Sequence, residues 1–265
     1  MELRITMAGV LLMAISFVLS SCQNPNNGYE LPGIVAANMA DSVALRAYDG
    51  FGGPQMWADV PVLRFDFGFD REGQKTVARR HLWNRATGDY RVEWEQGDTS
   101  TVVLFNVGTR EGEAYFNGTP APAGLQEELV QRAHRGFAND TYWLLMPIKM
   151  FDDGVRRSYA ADSSTDVEDV VHLSFGEVGY TPGDQYWVWV RKSDGRVTRW
   201  TYLLEGRDTP RTWMWDGYEE YDTEAGTVRL SNQKVAPDGS STLYTDAIAF
   251  PATTAEMFED PNSRL

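Results

Sequence analysis

The chain has 265 residues, a formal net charge of −14 and one cysteine, Cys22. Its acidity argues against nucleic acid and against docking on anionic head groups, since both need clustered positive charge. With one cysteine there is no internal disulfide or cysteine-pair metal site, so the fold depends on its own core; the acidity itself fits a soluble surface or a salt-rich habitat.

Residues 1–21 carry Arg4, the apolar run Met7–Leu19 and small residues before Cys22, the layout of a secretory signal peptide. The run is shorter than the roughly 20 residues that span a bilayer core, which favours cleavage over a transmembrane anchor. Leu19-Ser20-Ser21-Cys22 resembles the lipobox of bacterial lipoproteins, which implies a diacylglyceryl group on Cys22 and attachment to a membrane, expected to be the outer one, without a spanning helix. Residues 22–33, rich in Asn, Pro and Gly, read as a tether. Residues 34–265 are expected to form a single domain.

From Ile34 to Tyr48, Val35, Met39, Val43 and Ala47 recur near helical spacing, and the helix is expected to stop at Gly50, Gly52 and Gly53. After Pro61 the period changes: Leu63, Phe65, Phe67 and Phe69 alternate with Arg64, Asp66, Gly68 and Asp70, a half-buried strand. Strands are predicted over 78–85, 90–95, 101–107 and 113–117, separated by Gly-containing turns. A short amphipathic helix fits Leu125, Glu128, Leu129, Arg132, Ala133 and Phe137. Asn139-Asp140 is then read as the cap of a second apolar segment, Tyr142–Met146, which Pro147 ends. Strands follow over 169–175, 185–191, 197–204, 212–221, 226–235 and 242–250, with Asp194-Gly195 as a hairpin signal. The fold class is therefore mainly β: a large curved antiparallel sheet or incomplete barrel capped by two or three helices.

Catalytic signatures are sparse. There is no Gly-x-Ser-x-Gly elbow, His-Glu-x-x-His or phosphate loop, and His81, His134 and His172 lack ligand-like spacing, so neither cofactor nor metal is implied and a non-enzymatic protein is expected. Asp152-Asp153, Asp216 and Glu219-Glu220 offer carboxylates for glycoside hydrolysis, although in so acidic a chain such clusters more often form a solvated face. The aromatic residues carry more information. Phe65, Phe67, Trp94, Trp143, Leu145, Trp187, Trp189 and Trp200 are the candidates for lining an apolar cavity, and an aromatic core filled by these rings is the competing reading. The segment 139–151 is apolar around more than one stripe, which suits either a lid or a fixed plug, with Trp143 and Leu145 as its candidate ligand contacts.

The runs His81–Val92, Val103–Val107, Asn139–Pro147, Leu173–Phe175, Gly179–Asp184 and Tyr186–Val188 resemble an uncharacterised lipoprotein family of Bacteroidetes-like bacteria, over about residues 45–235. More distantly, the pattern is similar to the lipoprotein-carrier superfamily of LolA, LolB and RseB. That resemblance implies an incomplete antiparallel barrel capped by helices, around a cavity for a lipid, acyl chain or similar hydrophobic molecule. It supplies no residue-by-residue match to a cavity. A protein-interaction or envelope-stress-sensing module of the same fold, with an unidentified protein partner, and a glycan binder or hydrolase are the alternatives.

Overall fold

The structure, a computed structural model, describes residues 33–176, 179–252 and 255–265. The expected signal peptide, Cys22 and all of the expected tether but Gly33 lie outside the described residues. Two helices come first, α1 (Met39–Gly50) and α2 (Pro54–Ala58). Asn38 caps α1, its side-chain oxygen accepting from the Asp41 N–H at 2.9 Å, which is why the helix starts later than its apolar periodicity.

Thirteen antiparallel strands then form one sheet that does not close into a barrel. The chain enters at its middle. Strands β1 (Val62–Arg71), β2 (Gln74–Asn84), β3 (Asp89–Gln96), β4 (Thr99–Asn106), β5 (Gly112–Phe116) and the short β6 (Thr119–Pro120) step to one edge. Helix α3 (Gln126–Lys149) carries the chain to the opposite edge. From there β7 (Val155–Tyr159), β8 (Glu168–Phe175), β9 (Gln185–Arg191), β10 (Val197–Leu203), β11 (Arg211–Thr223), β12 (Gly226–Val235) and β13 (Ser241–Ala249) step back until β13 pairs with β1. The predicted meander is thus two meanders joined at their first and last strands. Laid flat, thirteen strands about 4.8 Å apart would span about 58 Å. Helix α1 nevertheless touches β7, β8 and β9 and also α3, while α3 touches β4, β5, β12 and β13. The sheet must curl around the helices for both halves to reach them.

Close approach fixes α1 against the β9–β10 hairpin. A Cβ on Gly195 would lie 2.2 Å from the Arg46 carbonyl oxygen, and Gly195 also has φ +72°, so only glycine fits there.

Helix α3 differs from its sequence reading. The expected break at Asn139-Asp140 and the stop at Pro147 do not occur; one helix of 24 residues runs through both. Asp140 does not cap a helix. Its carboxylate projects onto the inner face of the sheet, accepts from Arg79 Nη2 at 2.9 Å and lies 3.0 Å from His81 Nε2. His81 Nδ1 is 2.9 Å from the Tyr90 hydroxyl. Burial pushes the His81 ring below its ordinary value, despite Asp140 beside it, so a neutral ring accepting from Tyr90 and donating to Asp140 satisfies the network. Pro147 falls in the last turn, where its missing N–H costs one backbone bond, and the following Met150 N–H still reaches the Met146 carbonyl at 3.0 Å.

One core unites both halves of the sheet and α1 and α3. A lysine lies within it. Lys234 is fully buried, donates to the Ser231 carbonyl at 2.7 Å and the Thr245 hydroxyl at 2.8 Å, and sits 4.5 Å from the Trp215 ring centre. Desolvation lowers its pKa well below the usual lysine range. An unfolded chain holds that proton up to about pH 10.5 and the folded chain releases it earlier, so stability is lost as pH falls from about 10.5 toward the folded value. Lys234→Met is therefore expected to raise the unfolding free energy at pH 7 by on the order of 1–3 kcal/mol, read as a higher denaturant midpoint, with the gap to wild type narrowing as pH rises. Thr245 would still donate to the Ser231 carbonyl at 3.1 Å, so the change orphans no polar group. A lower midpoint for the variant at pH 7 would show that the buried ammonium is net stabilising.

Candidate functional site

A pocket of about 690 Å³ opens between the C-terminal two-thirds of α3 and the inner face of β8–β10. Helix α3 contributes Tyr142 and Trp143 to its wall; β8 gives Phe175, β9 Tyr186, and β10 Trp200 and Tyr202. Antiparallel register brings these strand residues together: Trp200 faces Val188 and Tyr202 faces Tyr186, so alternate positions on β9 and β10 share the inner face. The rings pack as a continuous cluster. Trp143 lies 4.6 Å from Trp200 and 5.6 Å from Trp213, edge-on to both, while Tyr186 stacks on Trp200 at 5.2 Å.

Charged and polar groups also line the pocket. Arg135 and Asn139 stand at one end along α3, and Lys149, Asp152 and Asp153 at the other, with Asp184, Glu205 and Arg207 from the loops beside β9 and β10. Lys149 donates to Asp152 at 2.7 Å, and burial raises the Asp152 carboxyl against the pull of that ammonium. Asp184 ties the two loops together, accepting from the Thr181 hydroxyl at 2.7 Å and the Glu205 N–H at 2.7 Å, and from Tyr186 at 3.1 Å. Burial, with Asp184 adding to it for Tyr186, pushes the hydroxyls of Tyr142 and Tyr186 above the ordinary tyrosine value. Both present neutral rings at physiological pH.

Of the residues singled out from the sequence, Trp143 and Trp200 line this pocket. Leu145 is fully buried in the core, as is Phe65, which stacks on His81 at 4.5 Å. Phe67 lies under the Arg79 guanidinium, 5.2 Å from its ring centre. Trp94 packs beside the N-terminal half of α3, with Arg132 4.8 Å from its ring centre. Trp187 and Trp189 are on the opposite face of β9, where His172 packs on the first at 4.8 Å and Arg199 covers the second at 4.5 Å. Tyr142, Phe175, Tyr186 and Tyr202 complete the wall without having been singled out. Their signal was parity: Tyr186 shares a face with Val188 and Val190, but a strand apolar on both faces does not declare which one is inner.

The carboxylates Asp216, Glu219 and Glu220 are exposed and outside the pocket, Glu220 pairing with Arg229 at 2.7 Å. Among the described residues, no three His, Cys, Asp or Glu side chains form a metal-binding group, and the pocket wall contains no serine, cysteine or histidine. No described helix is long and apolar enough to cross a membrane.

No protein-family model matches the chain, and no curated protein matches it in sequence. Solved structures do. A LolA superfamily protein from Nitrosomonas europaea is 13% identical with a TM-score of 0.39, over 84% of this chain and 98% of that one. A domain named for outer membrane lipoprotein sorting, from Vibrio parahaemolyticus, is 9% identical with a TM-score of 0.43, over 82% and 94%. A DUF1329 family protein from Desulfovibrio piger is 11% identical with a TM-score of 0.43, over 83% and 96%.

Proposed function

We propose that this protein is a cell-envelope lipoprotein, anchored through a lipidated Cys22, whose pocket between α3 and β8–β10 takes the hydrocarbon part of a lipid, an acyl chain or a similar hydrophobic ligand. The observation that carries the reading is the wall of Tyr142, Trp143, Phe175, Tyr186, Trp200 and Tyr202 around about 690 Å³. Such a volume lies in the range of small-molecule sites, and a run of six aromatic rings along one wall suits the apolar part of a ligand that gains by leaving water. Trp143 is central because it is 9% exposed, packed by three neighbouring rings, and still borders the open space.

The test is uptake of a fluorescent fatty acid by the purified folded protein. Trp143→Ala is expected to weaken uptake about tenfold, equivalent to about 1.4 kcal/mol of lost contact, while Trp189→Ala on the opposite face of β9 leaves it unchanged. Equal uptake by wild type and Trp143→Ala would remove this pocket as the binding site. For the anchor, Cys22→Ser is expected to abolish incorporation of labelled fatty acid and leave the precursor uncleaved; equal labelling of the variant would refute lipidation at that residue.

A further inference from the structure

We infer that the ligand is an anionic amphiphile, its carboxylate or phosphate head held by Arg132 and Arg135 and its hydrocarbon tail lying along the aromatic wall. This rests on the pocket reading above and adds to it the chemistry of the ligand's polar end. A second recess of about 260 Å³, lined by Arg79, Trp94, Arg132, Arg135, Gly136 and Asn139, adjoins the main pocket, sharing Arg135 and Asn139 with it. Three arginines in one small recess stand out in a chain with a net charge of −14.

The three guanidinium groups differ in how they are compensated. Arg79 is matched internally by Asp140, and Gly136 makes room for that crossing: a Cβ there would lie 3.2 Å from Arg79 Cδ. Arg132 rests over the Trp94 ring at 4.8 Å, a contact that orients the guanidinium and leaves its charge in place. Neither Arg132 nor Arg135 has a carboxylate within ion-pair distance among the described residues. They are three positions apart on one helix, where like charges oppose each other. An anion between them would relieve that repulsion and accept the planar donor pattern of arginine, which matches both carboxylate and phosphate oxygens.

At the far end of the pocket Lys149 is paired with Asp152, and Asp153 stands beside them. From Arg135 to Lys149 the helix rises about 21 Å, so the Arg132 and Arg135 guanidinium groups stand well apart from that end. They set the direction of an amphiphile: head toward Arg135, tail toward Phe175 and Trp200.

Binding of four twelve-carbon probes below their micelle-forming concentrations tests this: dodecanoate, dodecyl phosphate, dodecanol and dodecyltrimethylammonium. The two anions are expected to bind at least tenfold more tightly than dodecanol and the cation, with the tighter of the two identifying carboxylate or phosphate as the preferred head. The double variant Arg132→Gln/Arg135→Gln, at exposed positions, is expected to erase that preference, so that the anions bind no more tightly than dodecanol does to the same variant. Dodecanol binding as tightly as the anions, or an anion preference that survives the double variant, would overturn the head-group assignment while leaving the apolar pocket standing. If no probe binds, or if Trp143→Ala binds all of them like wild type, the pocket reading fails and this inference with it.

Discussion

Asp140→Ala is expected to cost about 3–5 kcal/mol of folding stability, because it strips the shared partner from two buried groups at once. The Asp140 side chain is fully enclosed, Arg79 is mostly enclosed, and His81 is inaccessible. Together they connect α3 to β2, and through Tyr90 to β3. Burial alone would raise the Asp140 carboxyl, yet the hydrogen bonds and charges of His81 and Arg79 bring it below its ordinary 3.8. A carboxyl depressed in the folded state contributes stability that is full above about pH 4 and disappears as pH falls through 3.8 toward the folded value. His81 acts in the same direction earlier: its folded value lies below 6.5, so the unfolded chain takes up a proton first and stability declines as pH drops below about 6.5. Chemical denaturation of wild type and Asp140→Ala at neutral pH measures the first effect, and a pH series measures the second, in which the variant should have a shallower decline below pH 4. An Asp140–Arg79 double-mutant cycle is expected to give a coupling above about 1 kcal/mol. A loss below about 1 kcal/mol for Asp140→Ala would mean that water or a neighbouring side chain replaces the carboxylate, and that the network is not what holds the helix down.

The same residue explains much of what the sequence concealed. Read locally, Asn139-Asp140 before an apolar run looks like a helix cap, because capping is the commonest use of a short acidic side chain beside such a run. Its actual partners lie about 60 positions earlier, at Arg79 and His81, beyond the reach of any local pattern. Strands declare themselves better. The alternation holds for Leu63, Phe65 and Phe67 as the inward face of β1, with Leu63 opposite Trp83 and Phe65 opposite His81, whereas Phe69, the fourth residue of the run, lies past the register shift at Phe67/Gly68 and is exposed. Strand β7 hides because Arg156, Arg157 and Ser158 interrupt its apolar positions; Arg157 is held inward by Asp41 at 2.8 Å, a partner on α1. The pocket was half legible. Aromatic abundance on β9 and β10 announces a face rich in rings, but whether rings meet or leave a gap depends on how far α3 stands from the sheet. That distance is set by Gly136, Arg79 and Asp140 together.

Glu93→Ala is the second change expected to cost about 3–5 kcal/mol, and it acts on the other side of the sheet. Arg91 and Glu93 are fully buried on β3, their side chains paired at 2.6 Å, on the face opposite Val92 and Trp94. The segment 257–265 covers them. Arg91 donates to the carbonyls of Met257 at 3.0 Å, Asp260 at 2.6 Å and also Asn262, while Glu93 accepts from the N–H of Arg264 at 2.9 Å and of Leu265 at 3.2 Å, and from the Ser263 hydroxyl at 2.5 Å. Each charge is therefore satisfied by the other and by backbone of the same strap, an arrangement in which neither can be removed without leaving the other buried and alone. Removing Glu93 should free the end of the strap and leave the Arg91 guanidinium without its counter-charge. Hydrogen exchange at the Arg264 and Leu265 amides reports the release directly, and both are expected to lose their protection in the variant while the β9–β10 strands, on the far half of the sheet, keep theirs. A variant that loses stability but keeps those two amides protected would show that the strap is held by Arg91 alone.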